Sequence, residues 1–233
     1  MSDKTLLRKT RSNTIINEIS KQQEKDIIVA LKNVLQKLVT TFSTVHFVHL
    51  KKLTLKAVVE HLKQSYPSID FYYKFETSFM TPDGGFLCIE NTKGEHFPIL
   101  IPEVKNQGTN DLRLKEGLSK QAKGNAIERL GKNVIGLRTY LLNESIFPFI
   151  CFGYGCDFDD NSSILDRVIT IAMFGKLNTT YLYNKNCFNR GSFYFRKEKW
   201  SIEEMSNIMY DIAEKSIYYY FSKYGKDCFE FKS

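Results

Sequence analysis

Apolar residues recur along this chain at two different periods. From Ile15 to about Phe42, Ile28, Leu31, Leu35 and Leu38 return every three or four positions among Lys and Gln, which predicts a helix with one buried face. Thr54 to Tyr66 repeats the pattern with Leu55, Val58, Val59 and Leu62, and Pro67 ends it. The first dozen residues are polar and basic without a sustained period and read as an arm. From Ile69 the period shortens. The segment IDFYYKFE is aromatic-rich and strand-like, and a turn follows at Pro82, Asp83, Gly84 and Gly85. FLCIE (Phe86 to Glu90), the turn NTKG and FPILIPEVK (Phe97 to Lys105) predict an antiparallel hairpin.

A polar loop from Asn106 leads to a helix whose strongest part runs from Asn125 to Leu142. Beyond it the pattern predicts a strand (Phe149 to Tyr154), a helix (Ser162 to Phe174), a short strand (Thr180 to Tyr183), a strand (Ser192 to Phe195) and a final helix (Ile202 to about Tyr220). Strands interleaved with one-faced helices give an α/β fold with a central mixed β-sheet flanked by helices. Residues 1–68 form an arm and helical layer packed on a core of residues 69–233, in one domain overall.

Composition narrows the class. With 42% hydrophobic and 25% charged residues the chain has enough apolar material for a core, so disorder as the main state is excluded. The excess of 33 Lys+Arg over 26 Asp+Glu, a net charge of +7, permits a polyanionic partner without specifying one. The longest apolar runs, Phe147 to Phe152 and Val168 to Phe174, fall far short of the roughly 18 residues that cross a bilayer. The N-terminus leads into no apolar stretch of the signal-peptide kind, so a cytoplasmic protein is expected. Five cysteines without a C-x-x-C pair argue against a disulfide framework or zinc site and read as reduced and mostly buried. His46 and His49, at i and i+3, share a face if that stretch is helical, although four histidines are few for metal chemistry.

Two groups of residues carry candidate chemistry. Asp83 sits in the Pro-Asp-Gly-Gly turn, and twenty positions on Glu103 and Lys105 alternate, so strand geometry puts both on one face. Two carboxylates beside an ammonium can hold one Mg²⁺ and cut a phosphodiester, since Mg²⁺ takes oxygen ligands and keeps several waters. The ordinary reading is a β-turn followed by a solvated strand face. Against that, Ile99 to Ile101 reads as buried strand just before Glu103, where an ionised pair is costly unless it has a use. The second group is KGNAIER (Lys123 to Arg129), at the start of the central helix. At 100° per residue Asn125, Glu128 and Arg129 fall opposite an apolar stripe of Ile127, Leu130, Val134, Leu137 and Leu141. Asn can bond adenine bidentately, Arg can do the same to guanine, and Glu can accept an amino proton or fix the Arg. Its ordinary reading is a solvated face on which Glu128 and Arg129 pair with neighbours such as Lys132.

PDGG, then EVKNQG (Glu103 to Gly108), then GNAIER (Gly124 to Arg129), in this order and spacing, resemble the EcoRI restriction endonuclease family. The likeness continues through ESIFPF, ILDR, FGKLN and IMYDI, from roughly Phe75 to the C-terminal helix. The resemblance implies the PD-(D/E)xK restriction-endonuclease-like fold. It also implies a Mg²⁺-dependent type II endonuclease that acts as a homodimer on double-stranded DNA at a palindrome containing AATT. Asp83, Glu103 and Lys105 match the catalytic positions, Asp83 and Glu103 the metal positions. Gln107 matches a position supporting the central base contacts, while Gly124, Asn125, Ala126, Glu128 and Arg129 match the recognition motif. A cognate DNA methyltransferase in the same system is implied, because the host chromosome must be protected.

Two departures from the family pattern matter. Pro102 stands inside a predicted central strand, where a kink is expected. Lys123 replaces a small residue and bears on the outer base pair, for which GAATTC is favoured over CAATTG, the site of a relative in the EcoRI/MunI group, or a relaxed pair. The competing functions are another PD-(D/E)xK nuclease, acting on structured or damaged DNA, and a catalytically inactive DNA-binding protein.

Overall fold

A computed structural model describes residues 16–106, 108–120, 124–158, 188–190 and 193–231. The expected arm, the helix Ser162 to Phe174 and the strand Thr180 to Tyr183 lie outside these residues, as does Cys187.

The architecture is a mixed sheet between two layers of helices. The strands are β1 (His46–Leu50), β2 (Leu53–Thr54), β3 (Phe79–Met80), β4 (Phe86–Glu90), β5 (His96–Asn106), β6 (Phe149–Tyr154), β7 (Phe188–Arg190) and β8 (Phe193–Arg196). Six of them form one sheet in the order β1-β4-β5-β6-β8-β7, while β2 and β3 pair separately. The β5–β6 and β6–β8 pairs are parallel, the others antiparallel. The helices are α1 (Ile16–Thr41), α2 (Leu55–Ser65), α3 (Gly108–Lys115), α4 (Gly124–Tyr140) and α5 (Ile202–Tyr224).

Alternation along the central strands divides the core. Ile150 and Phe152 of β6 face α1 and α5, packing with Ile27, Val34, Leu38, Met209 and Ile217. Phe149 and Cys151 face the other way, against α2 and α4 with Val58, Leu62, Leu130, Val134 and Leu137. A strand covered on both faces reads as a continuous apolar run, which is why Phe147 to Phe152 shows no period of two. The stripe expected on the central helix is buried at Leu130, Val134, Leu137 and Leu141.

Three expectations are corrected. The segment IDFYYKFE forms no strand, and Tyr72 and Phe75 are exposed. β1 already occupies the outer edge of β4 through pairs from His46↔Glu90 to Leu50↔Phe86, so residues 69–76 have no partner there. His46 and His49 therefore lie on a strand, where a spacing of three puts them on opposite faces. Their β-branched and aromatic neighbours, VHFVHL, outweigh the helical spacing. Part of the polar stretch after Asn106 is the helix α3. Of the four cysteines described, all free, Cys88 and Cys151 are buried, Cys156 is intermediate and Cys228 is exposed.

α5 is started by a capping box in which Ser201 and Glu204 satisfy each other's backbone N–H groups. Glu204 also receives both terminal nitrogens of Arg196 at 2.7 Å, and these bonds hold its pKa down to about 2. The carboxylate is partly exposed, so its contribution is small. The sign is fixed by the depressed pKa: the stabilisation is present above the ordinary value of 4.5 and is lost as pH falls toward 2. Glu204→Gln should therefore lower the thermal midpoint at pH 6, and the deficit should shrink as pH falls from about 4.5 toward 2. A deficit independent of pH would show that Arg196 does not depress this group.

Candidate active site

The Pro82–Gly85 turn closes when Gly85 N–H donates to the Pro82 carbonyl at 3.0 Å. Both glycines are needed for its position. Gly85 has φ +69°, and a Cβ there would come within 2.6 Å of the Leu50 carbonyl on β1. A Cβ on Gly84 would collide with the Pro102 ring. The Gly84 peptide is held from two strands: its N–H donates to the Pro102 carbonyl on β5 at 2.9 Å, and its carbonyl accepts from His49 Nε2 on β1 at 2.8 Å. A carbonyl can only accept, so His49 carries its proton on Nε2. His49 is thus a positioning residue that the sequence reading missed. The usable signal was the strand-like composition around it rather than the i, i+3 spacing.

β5 continues through Pro102, which pairs with Ile150 of β6. Ile101 N–H points toward β6 and bonds the Pro148 carbonyl at 2.8 Å. The next nitrogen, that of Pro102, therefore points toward β4, which at this level has given way to the Gly-Gly turn. No ladder bond is lost, so proline is tolerated in a central strand at the point where its neighbour ends.

This framework brings the three sequence-predicted residues together. Asp83 Oδ2 accepts from Val104 N–H at 3.0 Å, and Asp83 N–H donates to Glu103 Oε2 at 3.0 Å. Lys105 Nζ donates to Glu103 Oε1 and lies 3.6 Å from Asp83 Oδ2. The Glu103 side chain is only 2% exposed, against 24% for Asp83 and 21% for Lys105, so the site opens to solvent on the Asp83 and Lys105 side. Burial raises the Glu103 pKa above the ordinary glutamate value and the nearby Asp83 charge adds to this, while Lys105 opposes both. Burial works against the Lys105 ammonium, but the Glu103 and Asp83 charges outweigh it and hold its pKa above the ordinary lysine value. Beside these two carboxylates Lys105 is therefore held as the ammonium, a cation and hydrogen-bond donor.

The donor set suits a hard divalent cation. Among the described residues no group of three or more His, Cys, Asp or Glu converges, so Asp83 and Glu103 are the carboxylates on offer. Two carboxylates suffice for Mg²⁺, which fills its remaining positions with water and substrate phosphate. Cys151, fully buried beneath the site, is held as the thiol by burial and supplies no soft thiolate.

The second predicted group is placed only in part. α4 begins at Gly124, so Gly124, Asn125, Ala126, Glu128 and Arg129 occupy its first turns, and Glu128 is exposed. The side chains of Asn125, Ala126 and Arg129 are outside what the structure describes, as are Gln107 and Lys123 altogether.

The chain matches the family model for the restriction endonuclease EcoRI over residues 9–164. It is 27% identical over 240 residues to the type II restriction enzyme RsrI of Cereibacter sphaeroides, covering 88% of this chain and 87% of that protein. It is 28% identical over 209 residues to the type II restriction enzyme EcoRI of Escherichia coli, covering 73% of this chain and 74% of that one.

Proposed function

This chain belongs to the EcoRI restriction endonuclease family, and from that premise we propose that Asp83, Glu103 and Lys105 hydrolyse DNA with Mg²⁺ at a palindrome containing AATT. As a member it is a type II site-specific deoxyribonuclease, a DNA-acting enzyme of a class that depends on a divalent metal. The observation that carries the residue assignment is the convergence of two carboxylates and an ammonium, with Lys105 Nζ 3.6 Å from Asp83 Oδ2 and in contact with Glu103.

Asp83 and Glu103 would hold the metal, which when bound would lower the pKa of a water and offset negative charge at the phosphate. Lys105, kept cationic by its neighbours, orients that water or shields the phosphate as negative charge builds. Buried Glu103 fixes the side chain of Lys105, and the Asp83 backbone N–H in turn fixes Glu103. The two residues therefore reach the substrate with little rotational freedom to lose.

Asn125, Glu128 and Arg129 read the bases from the start of α4, supported by Gln107, with Gly124 and Ala126 permitting close approach to the DNA. A palindrome read by one helix per half-site requires two-fold symmetry, so the working species is a homodimer. A methyltransferase of the same system protects the host site. The outer pair is GAATTC: Arg129, one turn beyond Asn125, reaches the flanking guanine, and Lys123 contacts phosphate.

The test is a digest, with Mg²⁺, of three otherwise identical duplexes carrying GAATTC, CAATTG and TAATTA. Cutting of the first alone is expected. Cutting of the second alone would move guanine recognition to Lys123, and cutting of all three would mean that the outer pair is not read. A smear, branch-specific nicking or no cutting would overturn the assignment of the site.

A further inference from the structure

Away from the carboxylates of the active site, Asp157 is a fully buried acid, 0% exposed, in the turn that follows β6. That turn is fastened to the sheet: Gly155 N–H bonds the Lys197 carbonyl at 3.1 Å and Phe158 N–H bonds the Gly155 carbonyl at 2.9 Å. The Phe158 ring lies against Phe195, with centroids 4.6 Å apart.

From this fixed point the Asp157 carboxylate holds two separate places in the segment that joins β5 to α4. Asn110, in the first turn of α3, donates to Oδ2 at 2.5 Å. Lys120, four residues before α4 begins, lies 3.2 Å from Oδ1 and donates to the Cys156 carbonyl at 3.1 Å. A third tie runs from Cys156 N–H to Asp111 Oδ1 at 2.7 Å.

An ion pair with one end buried, as here with Asp157 at 0% and Lys120 at 28% side-chain exposure, adds little to stability alone, because desolvating the carboxylate offsets much of the attraction. What it supplies is a single geometry, since beyond the weak Cys156 Sγ–H contact to Oδ1 the carboxylate meets Asn110 at Oδ2 and Lys120 at Oδ1 only in this arrangement. The covalent path from Lys105 to Asn125 passes through Asn110 and Lys120, and both are pinned to the same sheet that carries Glu103.

Resting on the reading of α4 as the recognition helix, we propose that Asp157, with Asn110 and Lys120, is a positioning latch that sets the start of that helix against the catalytic strand and thereby fixes the discrimination between DNA sequences. Asp157 touches neither metal nor bases and acts through Lys120 and Asn110. Without it the helix entrance loses its register while every Lys and Arg that can meet phosphate is kept and Lys120 loses its anionic partner, so non-specific binding holds or tightens slightly and specific binding falls toward its level.

The experiment measures metal-free binding of the full chain to a GAATTC duplex and to the same duplex with one base pair changed, by fluorescence anisotropy. For Asp157→Asn the ratio of the two affinities should narrow at least tenfold, with little change in the weaker one. The exchange variant Asn110→Asp with Asp157→Asn keeps one carboxylate against one amide beside Lys120, and it should restore most of the ratio. A ratio within twofold of the parent in Asp157→Asn would overturn the latch, as would an exchange variant that folds without restoring it or that fails to fold. Where Asp157→Asn itself does not fold, the exchange variant decides. If the parent chain shows no preference between the duplexes, the recognition reading has failed rather than the latch.

Discussion

Glu103→Ala, and separately Asp83→Ala, are expected to bring Mg²⁺-dependent cleavage below detection while leaving tight DNA binding in place. Each change removes one of the two carboxylates that make up the donor set, and a single carboxylate with water does not hold a weakly bound, strongly hydrated cation in place. The Glu103 change goes further, because its oxygens also receive the Asp83 N–H and the Lys105 ammonium. Binding behaves oppositely. The carboxylates repel phosphate when no cation covers them, so their loss should leave metal-free affinity equal to that of the parent or higher. Single-turnover cleavage and metal-free titration on the same duplex separate the two effects. An Asp83→Ala enzyme that still cuts with Mg²⁺ would remove Asp83 from the metal site, and equal loss of binding and cleavage would point to a folding defect instead.

Much of this arrangement was legible in the sequence because it depends on local chemistry. The Pro-Asp-Gly-Gly turn, the E-x-K alternation and the run Ile99–Ile101 together specify a tight turn facing one side of a buried strand, and the structure places Asp83, Glu103 and Lys105 in contact as that pattern requires. The stripe from Leu130 to Leu141 likewise fixed which face of α4 packs on the sheet.

What was not legible depended on pairing between distant segments. Residues 69–76 have the composition of a strand, but the edge they would pair with belongs to β1, some twenty residues earlier. Pro102 reads as a strand breaker until it is seen which neighbour its nitrogen faces. His49 has no motif at all, and its bond to Gly84 exists only because β1 lies beside the turn. Asp157 is equally silent, an acid in a short turn whose partners lie 37 and 47 positions upstream.

Asn125→Ala should have the largest effect on sequence choice while leaving the active site intact. The backbone of α4 starts at Gly124, and Leu130, Val134, Leu137 and Leu141 bury its opposite face, so the direction in which the first turn faces is set by the core. An asparagine there can present its amide to adenine as both donor and acceptor, and losing such a bidentate contact costs roughly 1 to 3 kcal/mol. In a symmetric dimer the loss occurs twice, roughly 2 to 6 kcal/mol, which is about 30-fold to 10⁴-fold in the rate of specific cleavage. Asp83, Glu103 and Lys105 are on other elements, so metal affinity should not move. Ca²⁺ binding, followed by calorimetry, should match the parent while single-turnover cleavage of GAATTC falls by that factor. A variant cutting within threefold of the parent would return Asn125 to the solvated helix face, and a matching loss of Ca²⁺ affinity would mean that the change had disturbed the catalytic strand instead.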